Sequence, residues 1–135
     1  MKNFVKWFGI TAFVMVIAFS LVGCDLIDHD FQLLNGVWDR GDIVVTFDNY
    51  VGVFTQINPS SNWQTALNNG TIRIGDRKFR NISKTGNLKW TCQELLSNGT
   101  TWVNCTLTMD ANGQTLQAYN PNSQPTPTST TYTKR

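Results

Sequence analysis

The dipeptide Asn98-Gly99 constrains this chain more than any other feature, because it sets how two flanking segments must align. Asn-Gly between alternating apolar residues predicts a two-residue type I′ turn, whose central residues both need positive φ. Residues facing each other across such a turn have numbers summing to 197. Cys92 and Cys105 meet that sum, as do Leu88 with Met109, Trp90 with Leu107 and Glu94 with Val103. Counting outward from a hydrogen-bonded Ser97–Thr100 pair puts the cysteines at a non-hydrogen-bonded site, with Cα atoms about 4.5 Å apart. A structural disulfide is predicted there. It would close a loop of about 14 residues, worth about 3 kcal/mol in the chain-entropy model. The same register gathers Leu88, Trp90, Cys92, Val103, Cys105, Leu107 and Met109 on one face. Lys89, Thr91, Gln93, Asn104, Thr106 and Thr108 take the other, as expected of a sheet with one covered side.

The rest of the chain repeats this rhythm. Strands are predicted near 36–40, 42–48, 51–57, 71–75, 77–84, 87–96, 101–109, 113–119 and 130–134, separated by Asn-, Asp- and Gly-rich reversals. Connections this short join only antiparallel neighbours, since a parallel crossover takes a dozen or more residues. The expected fold class is all-β, an antiparallel up-and-down barrel or barrel-like meander. One short helix is predicted after Asn58-Pro59-Ser60-Ser61, a serine capping its start. There Trp63, Ala66 and Leu67 share a face and Gly70 suits the left-handed residue past the end. The final Thr130–Lys134 strand is expected to pair with the first strand near Trp38 and so remove the exposed edges.

The N-terminus addresses location. Lys2 and Lys6 precede an uncharged apolar run from Gly9 to Val22, too short to span a bilayer, and Gly23 precedes Cys24. Leu21-Val22-Gly23-Cys24 resembles the lipobox of bacterial lipoproteins. The resemblance implies cleavage before Cys24, acylation of its thiol by palmitate-like chains, and membrane attachment through lipid at the bacterial cell envelope, leaflet undetermined. Residues 1–23 are then a signal peptide, 24–35 a lipidated tether and 36–135 the β domain. Cleavage leaves 112 of the 135 residues, enough for one small domain. Of the 11 Lys and Arg, Lys2 and Lys6 leave with the signal peptide, so nine basic residues face nine acids. A neutral domain has no global electrostatic reason to bind nucleic acid. The Arg77-Lys78-Phe79-Arg80 cluster reads as a solvated strand face.

Gly36-Val37-Trp38 resembles the Gly-x-Trp motif that opens the first strand of lipocalin-like barrels. The closing Tyr132-Thr133-Lys134-Arg135 segment resembles the last strand of small bacterial lipocalin-like lipoproteins. That likeness implies an end-plug in which Lys134 or Arg135 lies over Trp38. The chain is shorter than a typical lipocalin and has no long C-terminal helix, so a small barrel filled by its own side chains is the alternative expectation.

Residues for catalysis are missing. The single histidine, His29, sits in the tether, which leaves no triad and no converging set of metal ligands. No enzyme activity, cofactor or metal is expected. Two functions remain. In one, the barrel binds a small hydrophobic or amphipathic ligand through Phe47, Phe54, Trp63, Trp90, Glu94, Val103 and Leu107. Glu94, the domain's only glutamate, would then anchor a polar head or simply reach water at its strand end. In the other, a filled barrel recognises an envelope protein partner, as an inhibitor among other roles, through outer-face residues such as Leu95 and Trp102 or through its loops.

Overall fold

The computed structural model describes residues 32–123 and 126–135. The predicted signal peptide, Cys24 and His29 lie outside the described residues. Turn chemistry decides the topology. Strand β1 (Gly36–Asp39) leads through a tight corner to β2 (Ile43–Asp48), and Asn49-Tyr50 then reverses the chain into β3 (Val51–Ile57). Both turn residues have positive φ, 48° and 60°, so the type I′ geometry occurs in this hairpin. A longer connection carries helix α1 (Trp63–Asn68) to β4 (Arg77–Gly86). Strands β5 (Lys89–Leu95), β6 (Trp102–Met109), β7 (Thr115–Asn120) and β8 (Thr128–Lys134) follow as a meander. All eight pair in sequence order, and β8 returns to β1 through Trp38↔Lys134 and Asp39↔Thr133. The expected up-and-down barrel is therefore closed, with no free edge along the wall.

Three expectations along this path are corrected. Residues 71–75 are not a strand: Arg73 N donates to Asp76 Oδ2 at 2.8 Å and Asp76 N to the Arg73 carbonyl at 3.0 Å. That turn drops Ile72 into the core and leaves Ile74 exposed. Helix α1 forms as predicted, with Trp63 and Ala66 buried, but its N-cap is Asn62, which makes no side-chain cap bond, and not a serine. The domain also begins earlier than residue 36, since Leu34 is already part of the core.

The β5–β6 pairing follows the 197 rule at every position from Lys89↔Thr108 to Leu95↔Trp102. The turn closing it is different. Leu96 N donates to the Thr101 carbonyl at 2.8 Å, Gly99 N donates to the Leu96 carbonyl at 2.9 Å, and Asn98 Oδ1 accepts from Thr100 N and Thr101 N. Only Gly99 is left-handed, at φ 74°. The loop thus has four residues, and its symmetry preserves the register while inverting the pair type. Hydrogen bonds at Leu96–Thr101 and from Met109 N to the Leu88 carbonyl make Cys92↔Cys105 a hydrogen-bonded, wide pair, with Cα atoms about 5.5 Å apart. The predicted disulfide is absent. Both cysteines are buried free thiols, and Cys92 Sγ donates to the Cys105 carbonyl at 3.6 Å. Hydrogen bonding to the Cys92 thiol, with burial added, pushes the Cys105 thiol up.

Rings hold the barrel together. Phe47 stacks on Phe79 with centroids 5.2 Å apart, and Phe79 meets Tyr132 edge-on at 5.9 Å. Gly52 makes the stack fit: a Cβ there would stand 2.9 Å from Phe47 and 3.1 Å from Phe79. Gly52→Ala is therefore expected to destabilise the domain by about 1–3 kcal/mol through overpacking, measured by urea unfolding. A loss within experimental error would show that the rings have room to move.

Candidate functional site at the barrel mouth

The β1–β2, β3–β4, β5–β6 and β7–β8 connections all emerge at one end of the barrel. The charged interior residues gather at this mouth. The inward turn of Lys78 has a backbone cause. Between Gly52↔Phe79 and Val53↔Arg77, β4 has one residue more than β3, a bulge whose extra residue is Lys78. A bulge breaks the strict alternation of faces, so consecutive side chains can point the same way. Lys78 and Phe79 are both buried, and the reading of this cluster as a solvated face is corrected at Lys78.

Lys78 Nζ donates to Glu94 Oε1 at 2.7 Å and to the Leu95 carbonyl at 2.6 Å, and lies 4.4 Å from the centroid of Trp63. Helix α1 supplies that ring, which also contacts Phe54 at 5.0 Å. Glu94 is 6% exposed, paired and buried instead of reaching water freely at its strand end. Burial, only partly offset by Glu94, pulls Lys78 down to about 8. A second pair lies beside the first. Arg40 grips Asp42 in a fork, Nε to Oδ1 at 2.6 Å and Nη2 to Oδ2. Burial works against the Asp42 charge, but this fork outweighs it and holds the carboxyl below its usual range. The Arg40 guanidinium also sits 5.8 Å from the centroid of Tyr132, whose hydroxyl has no hydrogen-bond partner among the described residues.

These groups border a cavity of about 180 Å³. Arg40, Asp42, Trp63 and Glu94 line it together with amides and hydroxyls from Asn62, Asn120, Thr128 and Thr130. At about 30 Å³ per water it has room for roughly six waters, below the 300 Å³ or so at which drug-sized ligand pockets begin. The four charges cancel, so the site offers donors and acceptors in similar measure and no net attraction for an ion.

Of the residues expected to line a ligand cavity, Trp63 and Glu94 reach this pocket. Phe47, Phe54, Trp90 and Leu107 are in the packed core at 0–1% exposure, and Val103 is half-buried opposite Glu94. At the other end of the barrel Lys134 Nζ lies 5.3 Å from the centroid of Trp38, whose Nε1 donates to the Leu34 carbonyl at 2.9 Å. Arg135 takes a different partner, Asp39, at 2.7 Å. The Leu95–Trp102 pair is not an open patch: Leu95 is buried and the Arg80 guanidinium covers Trp102 at 3.9 Å. Reasoning from alternation missed Lys78, Arg40 and Asp42. A bulge hides Lys78, whereas Arg40-Gly41-Asp42 at a strand corner was legible as a turn only.

Comparison with protein-family models finds no match, and comparison with curated proteins and with solved structures finds none either.

The buried lysine makes stability depend on pH in a defined direction. Its folded value lies below the unfolded one, so below about 8 both states carry the proton and the cost of burying the charge is fully present. Between about 8 and about 10.4 only the unfolded state keeps it, and this group's contribution to stability rises by up to about 3 kcal/mol. Urea unfolding from pH 7 to pH 10.5 should show the wild type gaining on Lys78→Met across that window. A constant difference would contradict the assignment.

Proposed function

We propose that this chain is an exported bacterial lipoprotein, anchored through Cys24, whose filled lipocalin-like barrel recognises a protein partner with its mouth and the surrounding loops. The observation that carries this reading is the packing of the interior. Trp38, Phe54, Phe79, Trp90, Leu107 and Tyr132 are each 0% exposed, so a water-sized sphere finds no room against any of them. An acyl chain or other apolar molecule needs such room. The mouth pocket, by contrast, has the size of one polar side chain and is framed by the 58–76 and 96–101 connections and by Asn120, Ser123 and Thr128. Loops on a rigid barrel are the usual place for recognition. The lipid anchor is supported by the Leu21–Cys24 lipobox resemblance, and two or more acyl chains give stable attachment where one does not.

Both parts are testable in cells. Metabolic labelling with an alkyne palmitate should tag the wild type and leave Cys24→Ala unlabelled; equal labelling would refute the anchor. A photo-crosslinking residue at Asn62 or Thr128, at the mouth, should capture a discrete protein adduct, while the same residue at Lys89, at the far end, should not. Adducts only from Lys89, or none from either mouth position, would remove the proposal.

A further inference from the structure

Three polar side chains that line the mouth pocket are each only half used by the fold. Glu94 Oε1 accepts from Lys78, whereas Glu94 Oε2 has no hydrogen-bond partner among the described residues. Asn120, the last residue of β7, is 4% exposed. Its Oδ1 accepts from Asn122 N at 3.0 Å, which sets the orientation of the amide and leaves its NH₂ as a donor. Arg40 gives Nε and Nη2 to Asp42, and its third nitrogen, Nη1, has no acceptor among the described residues. Glu94 and Asn120 are both more than nine-tenths buried, so the hydrogen-bonding capacity they retain is directed to whatever fills the pocket. Water can fill it, and a ligand group gains by entering only if it reproduces the hydrogen bonds of the water it displaces.

The complement of these groups is narrow. Trp63 and Leu96 bring apolar surface to the same pocket. An entering group must therefore donate to Glu94, accept from Asn120 or Arg40, and carry a short apolar stem. A carboxylate would satisfy the donors, but it has nothing to donate and meets Glu94 and Asp42 with like charge. An ammonium would satisfy Glu94, but it has nothing that accepts and meets Arg40, with Lys78 hydrogen-bonded to the same carboxylate. A primary amide donates from nitrogen, accepts at oxygen and carries no charge. In glutamine it stands on two methylenes, which suit the apolar surface.

We propose that the mouth pocket selects a glutamine side chain of the partner, its NH₂ donating to Glu94 Oε2 and its carbonyl accepting from the Asn120 amide and the Arg40 guanidinium. The inference rests on the reading of the mouth as a protein-recognition site and names the chemistry recognised there. The test is NMR titration of the isotope-labelled full chain in detergent micelles with N-acetyl-glutamine N-methylamide, following the Asn120 side-chain NH₂ and the Trp63 indole N–H. The glutamate, lysine and leucine compounds with the same caps are the counterparts. The glutamine compound should shift both signals saturably. The others should bind about tenfold or more weaker, because each leaves a buried group unpaired or opposed by like charge. Asn120→Asp keeps Oδ1 for Asn122 N but turns the leftover donor into an acceptor, so it should weaken the glutamine response about tenfold. Thermal unfolding shows whether that variant is folded, and the ranking of the four compounds on the wild type decides the matter without it. The inference is overturned if the glutamine compound does not bind, if the glutamate or lysine compound binds as tightly, or if folded Asn120→Asp binds glutamine as the wild type does. None of these results touches the crosslinking at Asn62 and Thr128, whose failure would instead remove the recognition role itself.

Discussion

Glu94→Ala is expected to lower the unfolding free energy by about 3–5 kcal/mol at pH 7, the usual consequence of leaving one member of a buried ion pair without its partner. Lys78 is almost wholly enclosed, and its ammonium depends on Glu94 Oε1 and the Leu95 carbonyl for hydrogen bonds. Removing the carboxylate strands the charge against Trp63 and Phe79, 4.4 and 5.4 Å away. Lys78→Met combined with Glu94→Leu is expected to recover most of that loss, because replacing both partners by apolar residues is often neutral or stabilising. The two outcomes together would show that the pair is not there for stability. They would fit a role in shaping the mouth, because a bulge is built into β4 to bring Lys78 inward at all. Chemical denaturation of the three variants decides the matter. A single-variant loss under about 1 kcal/mol would place the pair in contact with water after all.

Trp90→Ala should cost about 3–5 kcal/mol, the range for deleting a large core ring. Trp90 pairs with Leu107 across the β5–β6 ladder and is fully buried. The surrounding strands are locked into a closed barrel, so the wall has little freedom to collapse onto the vacated volume. The variant should therefore carry a lasting apolar void. Trp90→Phe is expected to lose much less, because Trp90 Nε1 has no hydrogen-bond partner among the described residues and its removal relieves a buried unpaired donor. Urea unfolding measures both. Equal losses for Ala and Phe would mean that the indole N–H is satisfied and that the ring volume is not what matters.

The architecture was legible because turns and alternation act locally. The 197 register survived even though the turn type behind it was misread: a two-residue and a four-residue loop centred on Asn98-Gly99 have the same symmetry. What did not survive was the parity of hydrogen bonding, which depends on the backbone angles of the turn itself. Asn98 uses its side chain to hold two backbone N–H groups and keeps negative φ, and with that choice the cysteines move from a narrow pair to a wide one. The site was harder to read for a related reason. Period-two alternation assigns Lys78 to the outside if Phe79 is inside, and only the bulge opposite Gly52 and Val53 brings both inward. Arg40 and Asp42 meet the interior at a strand corner, where alternation gives no prediction. Closure by β8, in contrast, followed from the β-forming Thr-Thr-Tyr-Thr run and from the need to cover an edge.

Tryptophan fluorescence during titration with palmitate tests most directly whether the centre of this barrel is solid. The wild type should show no saturable change. A stoichiometric, saturable response from the wild-type protein would mean that a hydrophobic molecule enters where Trp38, Trp90 and Tyr132 are packed, and the filled-barrel account would be wrong.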